Sequence, residues 1–306
     1  MPTRSLTELE KQIFYSLTKI ENKYKAFILK NYLESLEILR GKMGKLYEKY
    51  SRGGALTLAE MTKYNRLKNL YVEIEKEIGP MFSRNGNLVE NMKRTTFNEA
   101  FFRYGWAYDQ NLGIHLQWGT PPKGAIEAAV KNELGKIAQT RLRTSGRVRI
   151  RRAIAQGLTQ GASYPKMSKQ IKDAINGNAN DALRIVRTEG QRAAVLGQQA
   201  SRDRAESLGI DVVPVWDATL DRRTRLEHGA MDNRPAKKHD GKWQWFVPSI
   251  GWIDGPLQSG VASWDINCRC RERETVEGIS PKLRRTREKG IQKYITYKEW
   301  EKKYGG

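Results

Sequence analysis

The sequence predicts an α+β protein, with a mainly helical N-terminal region and a small mixed α/β C-terminal module. Three observations predict it. Apolar residues recur at three- and four-residue spacing through most of the chain from Ser5 to Leu208, which is the period of amphipathic helices. Gly209 breaks that period, and Ile210 to Trp216 then reads as a short β-branched strand. The stretch from Trp216 to Cys270 gathers Cys268 and Cys270, His228 and His239, and Trp216, Trp243, Trp245, Trp252 and Trp264. A short, glycine-punctuated segment that collects soft ligands and rigid aromatic rings has a fixed shape, and a metal cross-link is one way to fix it.

The elements follow in order. Ser5 to Arg40 is a helix with Leu6, Leu9, Ile13, Leu17 and Ile20 on one stripe, which Tyr24, Phe27, Ile28, Leu36 and Leu39 extend. After Gly53-Gly54 a second helix runs from Thr57 to Ile78, opened by a capping box, Thr57-x-x-Glu60. Gly79-Pro80 and Asn85-Gly86-Asn87 punctuate the chain before an aromatic helix from Met92 to Trp118. Its Phe97, Phe101, Phe102, Tyr104, Trp106 and Tyr108 suit helix packing, and a subunit interface is the alternative. Pro121-Pro122 marks a boundary. Gly124 to Ala162 resumes as helix, broken near Ser145-Gly146. Ser163 to Ile175 is a short helix, Asn176-Gly177-Asn178 a loop, and Asp181 to Leu208 a long helix. Arg187 and Glu189 lie two apart on it, so they cannot share a face, and their expected role is to tether the helix to the following module by ion pairs.

Beyond the strand, Thr219 to Asp232 forms a turn and a helix capped by Asp221, with Arg225 and His228 on one face. Gly241 to Pro248 is extended. From Gly278 the chain is a basic tail with a helical piece from Tyr297. The organisation expected is 1–122, an N-terminal helical region; 123–208, a basic helical region; 209–277, the C-terminal module; and 278–306, the tail. No period of 20 to 50 residues repeats, so a solenoid is not supported.

Charge narrows the partners. Lys and Arg number 55 against 34 Asp and Glu, a net charge of +21. Such an excess points to a polyanion: nucleic acid, an anionic membrane or an acidic protein surface. The run from Lys136 to Arg152 holds no acidic residue. Its Arg141, Arg143, Arg147, Arg149, Arg151 and Arg152 are either a solvated helix face or a surface for phosphate, whose oxygens guanidinium groups match. No base-reading motif accompanies them, so double-stranded DNA would be held non-specifically. No apolar run is long enough for a membrane span, and no signal peptide opens the chain.

Cys268 and Cys270 offer two thiolates and His228 an imidazole, three ligands where a closed zinc site has four. Asp221, Asp232 or His239 are the candidates for the fourth. The competing reading is two buried cysteines beside a hydrogen-bonded histidine, with the tryptophans supplying the core and no cofactor needed. A disulfide across one residue is geometrically awkward. Glu227, Asp217 and Asp232 beside His228 suit a generic hydrolase, but no catalytic motif is assembled, and a non-enzyme is expected.

The pattern W-D-x-T-x-D-x-R-T-R-x-x-H, carried by Trp216, Asp217, Asp221, Arg225 and His228, followed by N-C-R-C at Asn267 to Cys270, resembles the C-terminal module of phage minor head proteins, the Mu F-like head morphogenesis family. Arg187-Thr188-Glu189 and Tyr297-Lys298-Glu299-Trp300 match it too. The resemblance implies a structural minor capsid protein of a tailed phage, made in the host cytoplasm and placed inside the procapsid and virion. It implies the portal protein as partner at the portal vertex, a scaffolding protein as a further one, and a part in head morphogenesis and in DNA packaging or ejection. Some relatives carry Cys where this chain has Arg225, which cannot ligate a metal. The alternatives are a metal-dependent nuclease, a stand-alone DNA-binding protein, and a scaffold whose charge holds an acidic portal surface.

Overall fold

The computed structural model describes residues 6–113, 115–219, 222–276, 284–286 and 290–292. The helices are α1 (Leu6–Tyr50), α2 (Leu58–Thr62), α3 (Arg66–Leu112), α4 (Lys123–Val130), α5 (Glu133–Thr159), α6 (Tyr164–Ser207), α7 (Leu226–Ala230) and α8 (Ala262–Asp265). The strands are β1 (Val212–Asp217), β2 (Lys237–His239), β3 (Lys242–Val247), β4 (Gly251–Ile253), β5 (Arg271–Val276), β6 (Arg284–Thr286) and β7 (Gly290–Gln292). The chain forms two compact units, one of residues 1–22, 92–134 and 187–306, the other of 23–91 and 135–186. The α+β class expected from sequence is the class observed.

The second unit is helical. Leu36, Leu39, Met43, Leu70, Ile74, Ile78, Ile150, Ile154, Met167 and Ile171 are buried in it. Thr57 caps α2 as its capping box predicts, its hydroxyl accepting from the Glu60 amide at 3.3 Å. Four of the predicted breaks do not occur. α3 runs through Gly79-Pro80 and Asn85-Gly86-Asn87, α5 through Ser145-Gly146, and α6 through Asn176-Gly177-Asn178. The reason is tertiary packing, which overrides local propensity. Asn85 is buried and its carbonyl oxygen accepts from the Asn31 amide at 2.7 Å. Asn178 is buried too, accepting from the Tyr32 hydroxyl at 2.6 Å and donating to the Leu142 carbonyl at 3.0 Å. Gly146 is present for close approach: a Cβ there would stand 2.6 Å from the Phe82 ring.

The first unit has two cores. Phe97, Phe101, Tyr104, Trp106 and Tyr108 of α3 are buried with Leu9, Ile13 and Leu17 of α1 and with Trp118. α3 stops at Leu112, not at Trp118, and Gly113 leaves it at φ 66°. Asp109 pins the loop that follows, accepting from the Leu116 amide at 3.0 Å and the Trp118 indole at 3.1 Å.

The second core belongs to the C-terminal module. β1 and β5 pair antiparallel with Trp216 opposite Glu272, and β2, β3 and β4 form a three-stranded antiparallel sheet in that order. Trp216, Trp245, Val247, Ile253, Leu257, Trp264, Cys268 and Cys270 pack together with Val195 of α6. Trp216 and Trp245 meet edge to face at 5.6 Å. β6 and β7 form a hairpin within 278–306; the helical piece expected from Tyr297, and Asp221, fall outside the described residues.

Candidate functional site

α7 presents His228 inward, and the segment between α8 and β5 carries Cys268 and Cys270 up to it. All three are 2% exposed. His228 Nδ1 is 3.4 Å from Cys270 Sγ and 3.5 Å from Cys268 Sγ. The donor atoms of the three residues all lie within 4.8 Å of one another. The His228 ring lies over Trp264 at 4.1 Å and meets the edge of Trp216 at 6.3 Å. Both cysteines are free thiols. Cys270 is held down at about 5, first by a hydrogen bond from the Cys268 thiol and then by His228, while the Cys268 thiol is pushed up.

Other fourth-ligand candidates are engaged elsewhere. Asp232 accepts from the Ala218 amide at 2.9 Å, and His239 bonds Gln244 at 2.8 Å and stacks on Trp252. Arg225 is the N-cap of α7 and braces the site: it donates to the carbonyls of Trp264 at 3.0 Å and Ile266 at 2.7 Å. Trp216 is fully buried in β1, and Asp217 at its end lies 4.0 Å from Arg271.

The tether from α6 to the module exists, through different residues from those expected. Arg187 is exposed. Glu189 is buried and receives Lys93 at 2.7 Å, the Asn132 amide at 2.5 Å and the Arg192 guanidinium. Arg192, one turn on, makes the link: its Nε donates to the Leu257 carbonyl at 2.8 Å and its Nη2 lies 3.6 Å from Asp265. Gln191 donates to the Cys270 carbonyl at 2.7 Å, and Thr188 accepts from the Asn267 amide. The helical spacing of 188, 191 and 192 was available in the sequence; the loop carbonyls they reach were not.

The basic run lies on α5. Arg141, Arg149, Arg151 and Arg152 are exposed, Arg143 and Arg147 half-buried. Arg147 pairs with Glu75 at 2.6 Å, Arg149 with Asp181 at 2.7 Å, and Arg151 lies over the Tyr71 ring at 5.3 Å. Part of the run is thus tied to the helices of its own unit, and the remainder is presented outward. No helix among the described residues is long and apolar enough to cross a membrane.

Residues 148–273 match the family described as Phage Mu protein F like protein. The chain is 28% identical over 303 residues to Minor head protein GP7 of Bacillus phage SPP1, covering 96% of each chain. It is also 36% identical over 148 residues to the NAD(+)–arginine ADP-ribosyltransferase EFV of Enterococcus faecalis, which is 48% of this chain and 30% of that protein. No solved structure matches.

Proposed function

We propose that the chain, whose residues 148–273 match the Phage Mu protein F like family, is a structural minor head protein of a tailed phage that joins the portal protein at the portal vertex and lies inside the procapsid and virion. The end-to-end similarity to a minor head protein, 96% of both chains, carries the reading. The similarity to the ADP-ribosyltransferase reaches 30% of that protein, so its activity is not transferred here. The role is assembly of the head and passage of DNA at packaging or ejection, with a scaffolding protein as a further partner.

Non-specific contact with DNA is supported by the net charge of +21 and the exposed arginines of α5. Guanidinium groups neutralise phosphates and release counterions whatever the base sequence. A nuclease is the rival reading. The buried His228 gives it little support, because the imidazole is closed in by Trp216, Trp264 and two thiols and does not face a substrate.

The test is co-expression with the portal protein of the same phage, followed by size exclusion at low salt. The two should elute together. Separate elution at high concentration would overturn the portal assignment.

A further inference from the structure

We propose that His228, Cys268 and Cys270 hold one structural zinc ion that fixes the C-terminal module. The inference is independent of the role in the phage head. Its first support is geometry. Zinc bonds of about 2.3 Å to sulfur and about 2.0 Å to nitrogen, at tetrahedral angles, set nitrogen and sulfur roughly 3.5 Å apart. His228 Nδ1 stands 3.4 and 3.5 Å from the two sulfurs. The two nitrogen–sulfur separations therefore match edges of a zinc tetrahedron.

Both sulfurs stand at nearly the same distance from the imidazole nitrogen. Nδ1 has one lone pair or one proton, so it can serve one sulfur and not both. A metal ion serves all three at once. Two thiolates also balance the charge of a divalent ion, so burial would leave no net charge in the core. Two sulfurs and an imidazole nitrogen suit a borderline-soft ion such as zinc, which is bound four-coordinate and tetrahedral in structural sites.

The surrounding shell holds the ligands in place. Arg225 ties the Trp264 and Ile266 carbonyls, Gln191 holds the Cys270 carbonyl, and the Thr219 hydroxyl donates to the Arg269 carbonyl at 3.0 Å. Asn267, the residue before Cys268, turns the chain at φ 61°.

Beside the trio lies a cleft of about 10 Å³, lined by the three ligands with Thr219, Arg223 and Arg225. That volume takes about one water and no substrate. The site is therefore structural, with a water as fourth ligand and the Cys268 thiol proton released to solvent on binding.

The experiment uses the full chain purified under reducing conditions without added metal. Elemental analysis should find about one zinc per chain. Protein stripped with a chelator and given cobalt(II) should show d–d bands and thiolate-to-cobalt charge transfer, which Cys268→Ser or Cys270→Ser removes and His239→Ala leaves intact. Should the cysteine variants fail to fold, titrating the native thiols with a mercurial beside a metal-sensitive dye should release one zinc per two thiols. Folded chain that contains no metal and whose stripped form takes up no cobalt, or thiol titration that releases no zinc, would overturn the proposal.

Discussion

Arginine does two different jobs in the two units. In the first, Arg202 is buried, its side chain 3% exposed, between Glu272 at 2.6 Å and Glu274 at 3.1 Å. Gln199 donates to Glu272 at 2.6 Å, the Tyr108 hydroxyl donates to Glu274, and the Glu274 amide donates to Glu10 at 2.9 Å. In the second, Arg147 and Arg149 of α5 make ion pairs at the surface, and Arg141 and Arg152 are exposed. The difference teaches where charge matters. A buried guanidinium between carboxylates is a fixed part of the fold, because removing it strands its partners away from water. Surface pairs contribute at most about 1 kcal/mol each, so a basic face can change with little effect on folding and a large effect on what it binds.

The largest expected effect follows from Arg202→Ala. It leaves Glu272 and Glu274 without their cation and should destabilise the first unit by about 3–5 kcal/mol, read from urea denaturation. A loss below about 1 kcal/mol would erase the contrast with α5.

A smaller effect comes from pH. Burial pushes Glu274 up to about 7 and Glu10 up to about 8, against an ordinary value of 4.5. The folded state thus holds these protons more tightly than the unfolded chain does. Stability is greatest below about pH 4.5 for these groups and falls as pH rises through 7 and 8. For Glu274 the fall is about 1.4 kcal/mol per pH unit between its unfolded value of 4.5 and its folded value of about 7, and it levels off above that. Glu274→Gln should flatten the dependence of melting temperature on pH. An unchanged slope in the variant would show that Glu274 is not its source.

The smallest effect on folding belongs to α5. Arg141→Ala with Arg152→Ala should change stability by less than about 0.5 kcal/mol for each site. The same pair should weaken binding to mixed duplex DNA and make its salt dependence shallower, because fewer counterions are displaced. Anisotropy titrations at several salt concentrations read this directly. Binding that is insensitive to salt, or that a change of sequence abolishes, would remove α5 as a phosphate surface.

The local sequence revealed some of this and concealed the rest. Thr57 announced the start of α2, because an N-cap hydroxyl is satisfied within one turn, by the Glu60 amide. The trio of His228, Cys268 and Cys270 was legible because soft ligands are rare in this chain. Gly146 and Asn178 misled, since their partners Phe82 and Tyr32 are far away in sequence and only packing shows that a missing Cβ or a buried amide is required there. Nothing in the local sequence sets Arg192 apart from Arg187, for the same reason: its partner is a loop carbonyl, which carries no sequence signature. The buried Arg202 cluster was equally hidden, because its carboxylates lie seventy residues and more downstream, on β5.

The assignment to the phage head is tested most directly by quantitative mass spectrometry of purified particles. Virions and procapsids of the parent phage should both contain this chain, and heads assembled without the portal protein should lack it. Its absence from purified virions and procapsids, or equal amounts in heads made with and without portal, would contradict the account.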